Sequence, residues 1–167
     1  MSERLQRLLE SLNQLTDLAS FSSIIETIRA TYDVDHVHYF ALSLGLDSRE
    51  VAEPMAGRLK GNEGVLYRSG RKLAALSYRP DWMARYISAR FHEFDPVVQS
   101  ATASFDPIDW AELDWSGNER GTFLGEAISF GVGNQGYTVP VRGPGGQMAM
   151  FTVNKTCSNE NWAKLLA

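Results

Sequence analysis

Leu5, Leu8, Leu9, Leu12, Leu15 and Leu18 recur every three or four positions among polar neighbours. That spacing puts one face of an amphipathic α-helix against a core. Ser20 then stands where a side-chain oxygen can cap a second helix, with Ile24, Ile25 and Ile28 on its inner face. At HVHYFALSL, 36–44, the period changes to alternation among strand formers, which predicts a first strand. From 45 to 70 the chain is polar and glycine-rich (DSREVAEP, GRLKGNEG), the pattern of a loop around a short strand. KLAALSY, 72–78, reads as strand again.

Punctuation by proline and glycine organises the rest. Pro80 opens a helix over DWMARYISAR, Asp95-Pro96 starts another over DPVVQSATAS, and a short one covers DWAEL. A helix over 118–130 precedes strands at 136–142 and 147–154, joined by RGPGG, a strong hairpin signal. NENWAKLLA begins a last helix. Strands in hairpins with helices at both ends argue for an α/β domain on a largely antiparallel sheet.

One motif conflicts with that order. In FGVGNQGYTVPV, Gly131, Gly133 and Gly136 spell G-x-G-x-x-G, the dinucleotide-binding spacing. That site needs a strand before the glycines and a helix after them, because the pyrophosphate rests on the helix N-terminus. Here Phe123, Leu124, Ala127 and Ile128 make a helical pattern upstream. Tyr137, Thr138, Val139 and Val141 are strand formers downstream, around a Pro140 suited to an edge or bulge. The first acid after the glycines is Glu160, too late in this context to grip a ribose. The glycines are therefore expected to form a helix-to-strand turn or to let a ligand approach.

Composition narrows the classes. With 167 residues, 44% hydrophobic and 22% charged, the chain suits one globular domain with its own core. No internal repeat, low-complexity segment or membrane-length apolar run is present, and MSERLQRLLE is too polar for a signal peptide, so a cytoplasmic protein without membrane contact is expected. The lone Cys157 fits a reducing compartment and has no base set up around it. A net charge of −4, with Asp106, Asp109, Glu112, Asp114 and Glu119 close together, makes this chain a poor phosphate binder. His36 and His38 share a strand face, but no third metal ligand stands nearby, and no metal is expected.

YRPDWMARYISARFHEFDPVV, 78–98, concentrates amphiphilic chemistry. Trp82 and Tyr86 are neighbours on one helix face, Tyr78 precedes them, Asp95 follows, and Trp110 comes fifteen residues after it. Two readings fit. Aromatics at helical spacing are commonly core, and Asp-Pro is an ordinary helix start. Equally, two indole N–H groups, two phenols and a carboxylate among apolar surfaces suit a pocket for a small amphiphile, with Asp95 both capping and facing a ligand.

These residues resemble the autoinducer-binding domain of LuxR-type quorum-sensing regulators. The match is Y-x3-W-x3-Y-x8-D-P over Tyr78, Trp82, Tyr86 and Asp95-Pro96, then Trp110, then Phe130-Gly131, Gly136-Tyr137-Thr138-Val139-Pro140 and Phe151-Thr152. It is weak before residue 72 and strong after it. The resemblance implies an α+β fold, an α-β-α sandwich with helices on both faces of the sheet, enclosing an N-acyl-homoserine lactone. By the same resemblance Trp82 donates to the lactone carbonyl, Tyr78 to the acyl carbonyl, and Asp95 accepts from the ligand amide. Tyr86 and Trp110 would wall the ring, Thr152 would add a polar contact, and Pro96 and Gly136 would shape the surroundings.

Two features depart from the family. The FGVGNQG turn looks one residue longer, and no helix-turn-helix DNA-binding domain follows WAKLLA. The expectation is thus a non-enzymatic ligand-sensing domain over 1–167 with no cofactor, a possible homodimer that reaches DNA only through a domain missing here. An orphan or antagonist receptor of the same fold is the alternative, and a nicotinamide-dependent or lactone-hydrolysing enzyme the more remote one.

Overall fold

The structure, a computed structural model, describes residues 6, 10, 18–43, 55–58, 65–69 and 72–167. The amphipathic helix expected over 5–15 lies outside the described residues, apart from positions 6 and 10. β1 (His36–Ser43), β2 (Met55–Arg58), β3 (Val65–Ser69), β4 (Lys72–Leu76), β5 (Ile108–Asp109), β6 (Gln135–Gly143) and β7 (Gln147–Lys155) form one sheet. Its order is β2-β3-β4-β1-β7-β6-β5, with every neighbouring pair antiparallel. The 45–70 segment therefore supplies two strands. Its composition hid them because backbone pairing, of β3 to β4 and of β2 to β3, and not an alternating pattern, makes them strands.

The helices are α1 (Leu18–Tyr32), α2 (Pro80–Ser88), α3 (Pro96–Ala103), α4 (Asn118–Ser129) and α5 (Asn159–Leu166). Ser20 lies inside α1 rather than at its cap, since helical geometry already includes Leu18. Pro80 and Pro96 each stand at a first helical position, where their missing N–H costs nothing. DWAEL forms a single short turn, Trp110–Glu112.

Alternation along β1 assigns the two faces of the sheet. Val37 and Ala41, with Leu73, Ala75 and Ala149, pack against Ile24, Ile25 and Ile28 of α1, and Leu165 of α5 joins at the margin. On the other face Met150 meets Ala101 of α3, with Phe40 and Val98 against them. Helices thus cover both faces of an antiparallel sheet.

The three glycines of the turn between α4 and β6 serve three different needs. Gly131 takes φ 80° just past the end of α4, while its N–H bonds to the Ile128 carbonyl and that of Val132 to Ala127, both at 2.9 Å. That is a Schellman cap, in which the left-handed position favours glycine. Gly133 has φ 110°, and a Cβ there would lie 2.9 Å from the Lys155 carbonyl carbon. Gly136 sits under Trp110, and a Cβ would lie 2.2 Å from an indole ring atom. β5 pairs only with Tyr137 and Thr138, so Pro140 lies where β6 is the sheet edge among the described residues.

A candidate ligand-binding site

The site begins with the two helices that proline starts. On α2, Trp82 is buried and centres an aromatic cluster: its ring centroid lies 5.9 Å from Tyr86, 5.8 Å from Phe91, 6.0 Å from Phe123 and 5.5 Å from Phe130. Tyr78 and Tyr86 pack against this cluster, and Trp110 belongs to it. Arg85 bonds to both carboxylate oxygens of Glu126 (2.5 and 2.6 Å), linking α2 to α4 at the surface. Among the described residues, the Trp82 indole N–H has no acceptor.

Asp95 joins the cluster from α3. Its Oδ1 accepts from the Val97 N–H as the helix cap, and its Oδ2 accepts from the Tyr86 hydroxyl, each at 2.8 Å. The second oxygen, expected to face a ligand, is thus already bonded to the residue expected to be an aromatic wall. A carboxylate oxygen has more than one lone pair, so Oδ2 keeps the capacity to accept a further donor. Burial pushes the carboxyl up to about 6, against the lowering effect of the hydrogen bonds from Tyr86 and Val97.

That shift has a sign that can be checked. The folded value lies above the ordinary 3.8, so the folded state holds the proton more tightly. The group's contribution to stability is then complete below about pH 4 and lost as pH rises through about 6. Wild type minus Asp95→Asn is expected to gain on the order of 3 kcal/mol in urea unfolding on going from pH ~7 to ~4. The buried histidines titrate in both proteins and cancel from the difference. Parallel pH curves would remove the raised carboxyl from the account.

The sheet supplies the opposite wall. Tyr78 follows β4, and its ring centroid lies 3.5 Å from that of His38 and 5.0 Å from that of His36. Its hydroxyl oxygen accepts from Asn154 Nδ2 at 3.1 Å, and burial keeps the phenol protonated by raising its proton affinity. His36 and His38 do share a face, but Nε2 of His36 meets the Gly131 carbonyl at 2.9 Å and Nε2 of His38 meets Asn154 Oδ1 at 3.2 Å. Among the described residues no group of three metal-ligating side chains forms.

Trp110 donates its indole N–H to Thr138 Oγ1 at 3.0 Å, and Thr138 shares a 2.9 Å hydrogen bond with Thr152. Thr152, expected to add a polar contact to a ligand, shares its hydroxyl with Thr138 across the sheet. Pro96 is buried at the start of α3. The structure thus connects Tyr78, Trp82, Tyr86, Asp95, Trp110, Gly136 and Thr152 through neighbouring contacts between the sheet and α2–α4. His38, Thr138, Asn154, Phe91 and Phe123 line the same region without having been singled out for it. The available signal was strand parity: Asn154 lies two positions after Thr152, and β6 and β7 pair Thr138 with Thr152.

The sequence profile of the autoinducer binding domain matches residues 67–167. The chain belongs to this family. The domain is 38% identical over 90 residues to the transcriptional activator RaiR of Rhizobium etli, a match covering 54% of this chain and 37% of RaiR. It is 32% identical over 84 residues to the transcriptional activator TraR of Agrobacterium vitis, covering 48% and 36%. It therefore spans little more than a third of the length of these relatives, which are named as regulators of transcription and not as enzymes.

The fold of the domain matches solved structures of LuxR-type regulators. CepR2, an N-acylhomoserine lactone-dependent LuxR-family factor from Burkholderia cenocepacia, superposes with a TM-score of 0.67 at 14% identity, over 98% of this chain and 85% of that one. SdiA in complex with octanoyl-rac-glycerol gives 0.60 at 16% identity, over 98% and 61%. At such identities the likeness establishes the fold, the α-β-α sandwich of this family. Among the described residues no helix is long and apolar enough to cross a membrane.

Proposed function

We propose that this autoinducer-binding domain holds an N-acyl-homoserine lactone between its sheet and the α2–α4 layer. One observation carries the reading. Tyr78 and Trp82 each keep a hydrogen-bond donor uncommitted among the described residues, in the same aromatic enclosure that Asp95 enters through Tyr86. An acylated homoserine lactone offers two carbonyl acceptors and one amide donor, which these three residues complement. Trp82 then takes the lactone carbonyl, Tyr78 the acyl carbonyl and Asp95 the amide N–H. Tyr86 and Trp110 flank the ring, and Thr152 contributes through the bond it shares with Thr138.

The energetics divide the task. A hydrogen bond to a charged group contributes about 1.5–3 kcal/mol, so the head group is selected by Asp95. Each buried methylene of the tail adds about 0.8 kcal/mol, so tail length sets much of the affinity. A ligand enclosed in the core stabilises the folded state in proportion to its occupancy, which couples binding to folding. In a longer protein of the relatives' length that coupling would pass the signal to a DNA-binding segment and its dimer.

The octanoyl-glycerol found with SdiA favours one second reading, an acylglycerol whose hydroxyl replaces the amide as the donor to Asp95. Both readings are tested by calorimetry with lactones and monoacylglycerols on wild type and Asp95→Asn. The substitution retains an oxygen for the Val97 cap but loses the charge, so lactone affinity is expected to fall at least about tenfold while α3 still forms. Unchanged affinity would sink the assignment of Asp95, and binding of the glycerol ester alone would select the second reading.

A further inference from the structure

Asn154 is fully buried on β7, and both ends of its amide are engaged. Its Nδ2 donates to the Val132 carbonyl and to the Tyr78 hydroxyl oxygen, while its Oδ1 faces Nε2 of His38. A backbone carbonyl only accepts, so the end of the amide that faces Val132 has to be the NH2 group. Oδ1 is thereby turned toward His38. Because an amide oxygen also only accepts, His38 carries its proton on Nε2. Its other nitrogen, Nδ1, is then a bare lone pair, and it is the ring atom that is buried without a partner.

The same step decides what Tyr78 can do. Its oxygen receives an N–H from Asn154, so its own proton is directed elsewhere, and among the described residues nothing accepts it. We propose that Asn154, oriented by the Val132 carbonyl, is a positioning residue that makes Tyr78 a donor toward the ligand. This rests on the reading above, in which Tyr78 meets the acyl carbonyl. It extends that reading to a polarity preference: with one lone pair of Tyr78 taken by Asn154 and its proton free, an acceptor on the ligand is favoured there over an N–H or O–H.

The preference has its origin in the glycine turn. The left-handed Gly131 ends α4 and leaves two successive carbonyls, of Gly131 and Val132, aimed at the sheet. His36 receives the first and Asn154 the second. Gly133 then lets the chain pass close to the Lys155 backbone. The turn therefore fixes the orientation of one amide, and the amide fixes one hydroxyl.

A double-mutant cycle tests this. Binding of N-octanoyl- and N-dodecanoyl-homoserine lactone is measured on wild type, Tyr78→Phe, Asn154→Asp, Asn154→Thr and the combined variants. Aspartate only accepts and would capture the Tyr78 proton. Threonine has one hydroxyl proton and cannot serve Val132 and Tyr78 together. Each change at 154 is expected to lower affinity about tenfold or more with Tyr78 present and less than about twofold in the Tyr78→Phe background.

Equal losses in both backgrounds overturn the inference, since Asn154 would then act only through packing. No loss in either background overturns it as well. Failure of both single variants at 154 to fold has the same meaning, and if only the aspartate variant fails, threonine carries the test. Wild type that binds neither lactone brings down the proposed function and this inference together. Binding without coupling brings down the inference alone.

Discussion

Gly136→Ala is expected to destabilise the domain by about 3 kcal/mol, the upper part of the range for overpacking, and to abolish ligand retention. The new Cβ would stand 2.2, 2.4 and 2.5 Å from three ring atoms of Trp110, where ordinary carbon contacts lie at about 3.5–4 Å. The indole has little room to withdraw. Its N–H is bonded to Thr138, the Trp110 backbone carbonyl accepts from the Trp115 indole at 2.7 Å, and the Trp115 ring packs against the Trp110 ring. Gly125 supplies the control, because a Cβ at that position in α4 meets nothing within 4 Å. Gly125→Ala should gain up to about 1 kcal/mol from helix propensity. Thermal unfolding of both variants gives opposite signs if the reading is right, and an unchanged Gly136→Ala would show that Trp110 has space.

Trp82→Ala should cost about 3–5 kcal/mol, the usual loss for a buried tryptophan. The side chain is 2% exposed, and its ring stacks on Phe91 and Phe123. Removing it would leave a cavity at the junction of α2 and α4. Trp82→Phe separates packing from chemistry: a six-membered ring remains against Phe91 and Phe123, while the N–H is deleted. Stability should fall much less, and lactone affinity about tenfold, as for the loss of one buried hydrogen bond. Urea unfolding measured beside calorimetric binding distinguishes the two effects. Losses that run in parallel would mean that the indole only packs.

Where a residue's role depends on its neighbours in sequence, the chain was readable. Pro80, Asp95-Pro96 and the Gly-Pro-Gly-Gly connection place α2, α3 and the β6–β7 hairpin within a residue or two of their expected limits. The same local order pointed to a helix-to-strand turn at Gly131, Gly133 and Gly136, which the end of α4 and the start of β6 show. Where the role depends on partners far along the chain, the reading fell short. β3 is a strand because β4 is beside it, and β2 because β3 is. Ser20 has the chemistry of a cap, yet the helix begins earlier.

The site divides in the same way. Spacing brought Trp82 and Tyr86 together, but nothing local says that Tyr86 donates a hydrogen bond to Asp95, or that Thr152 is held by Thr138. His38 and Asn154 are polar residues in strands, where parity assigns a face without saying whether the face is buried. Their partners, 116 positions apart in sequence, appear only when β1 and β7 are side by side.

That last pairing also governs when the domain can exist. β1 lies between β4 and β7, and its ladder to β7 joins His36 to Asn154 and Phe40 to Met150. During synthesis the first strand can hydrogen-bond on the β4 side once residue 76 has emerged, but its other edge stays open until β7, more than seventy residues further on, has left the ribosome. The Tyr78, Asp95 and Trp110 side chains are made well before the strand that carries Thr152 and Asn154. A growing chain therefore holds Tyr78, Asp95 and Trp110 long before it holds their partners on the sheet, and the proposed site can close only after β7 has emerged.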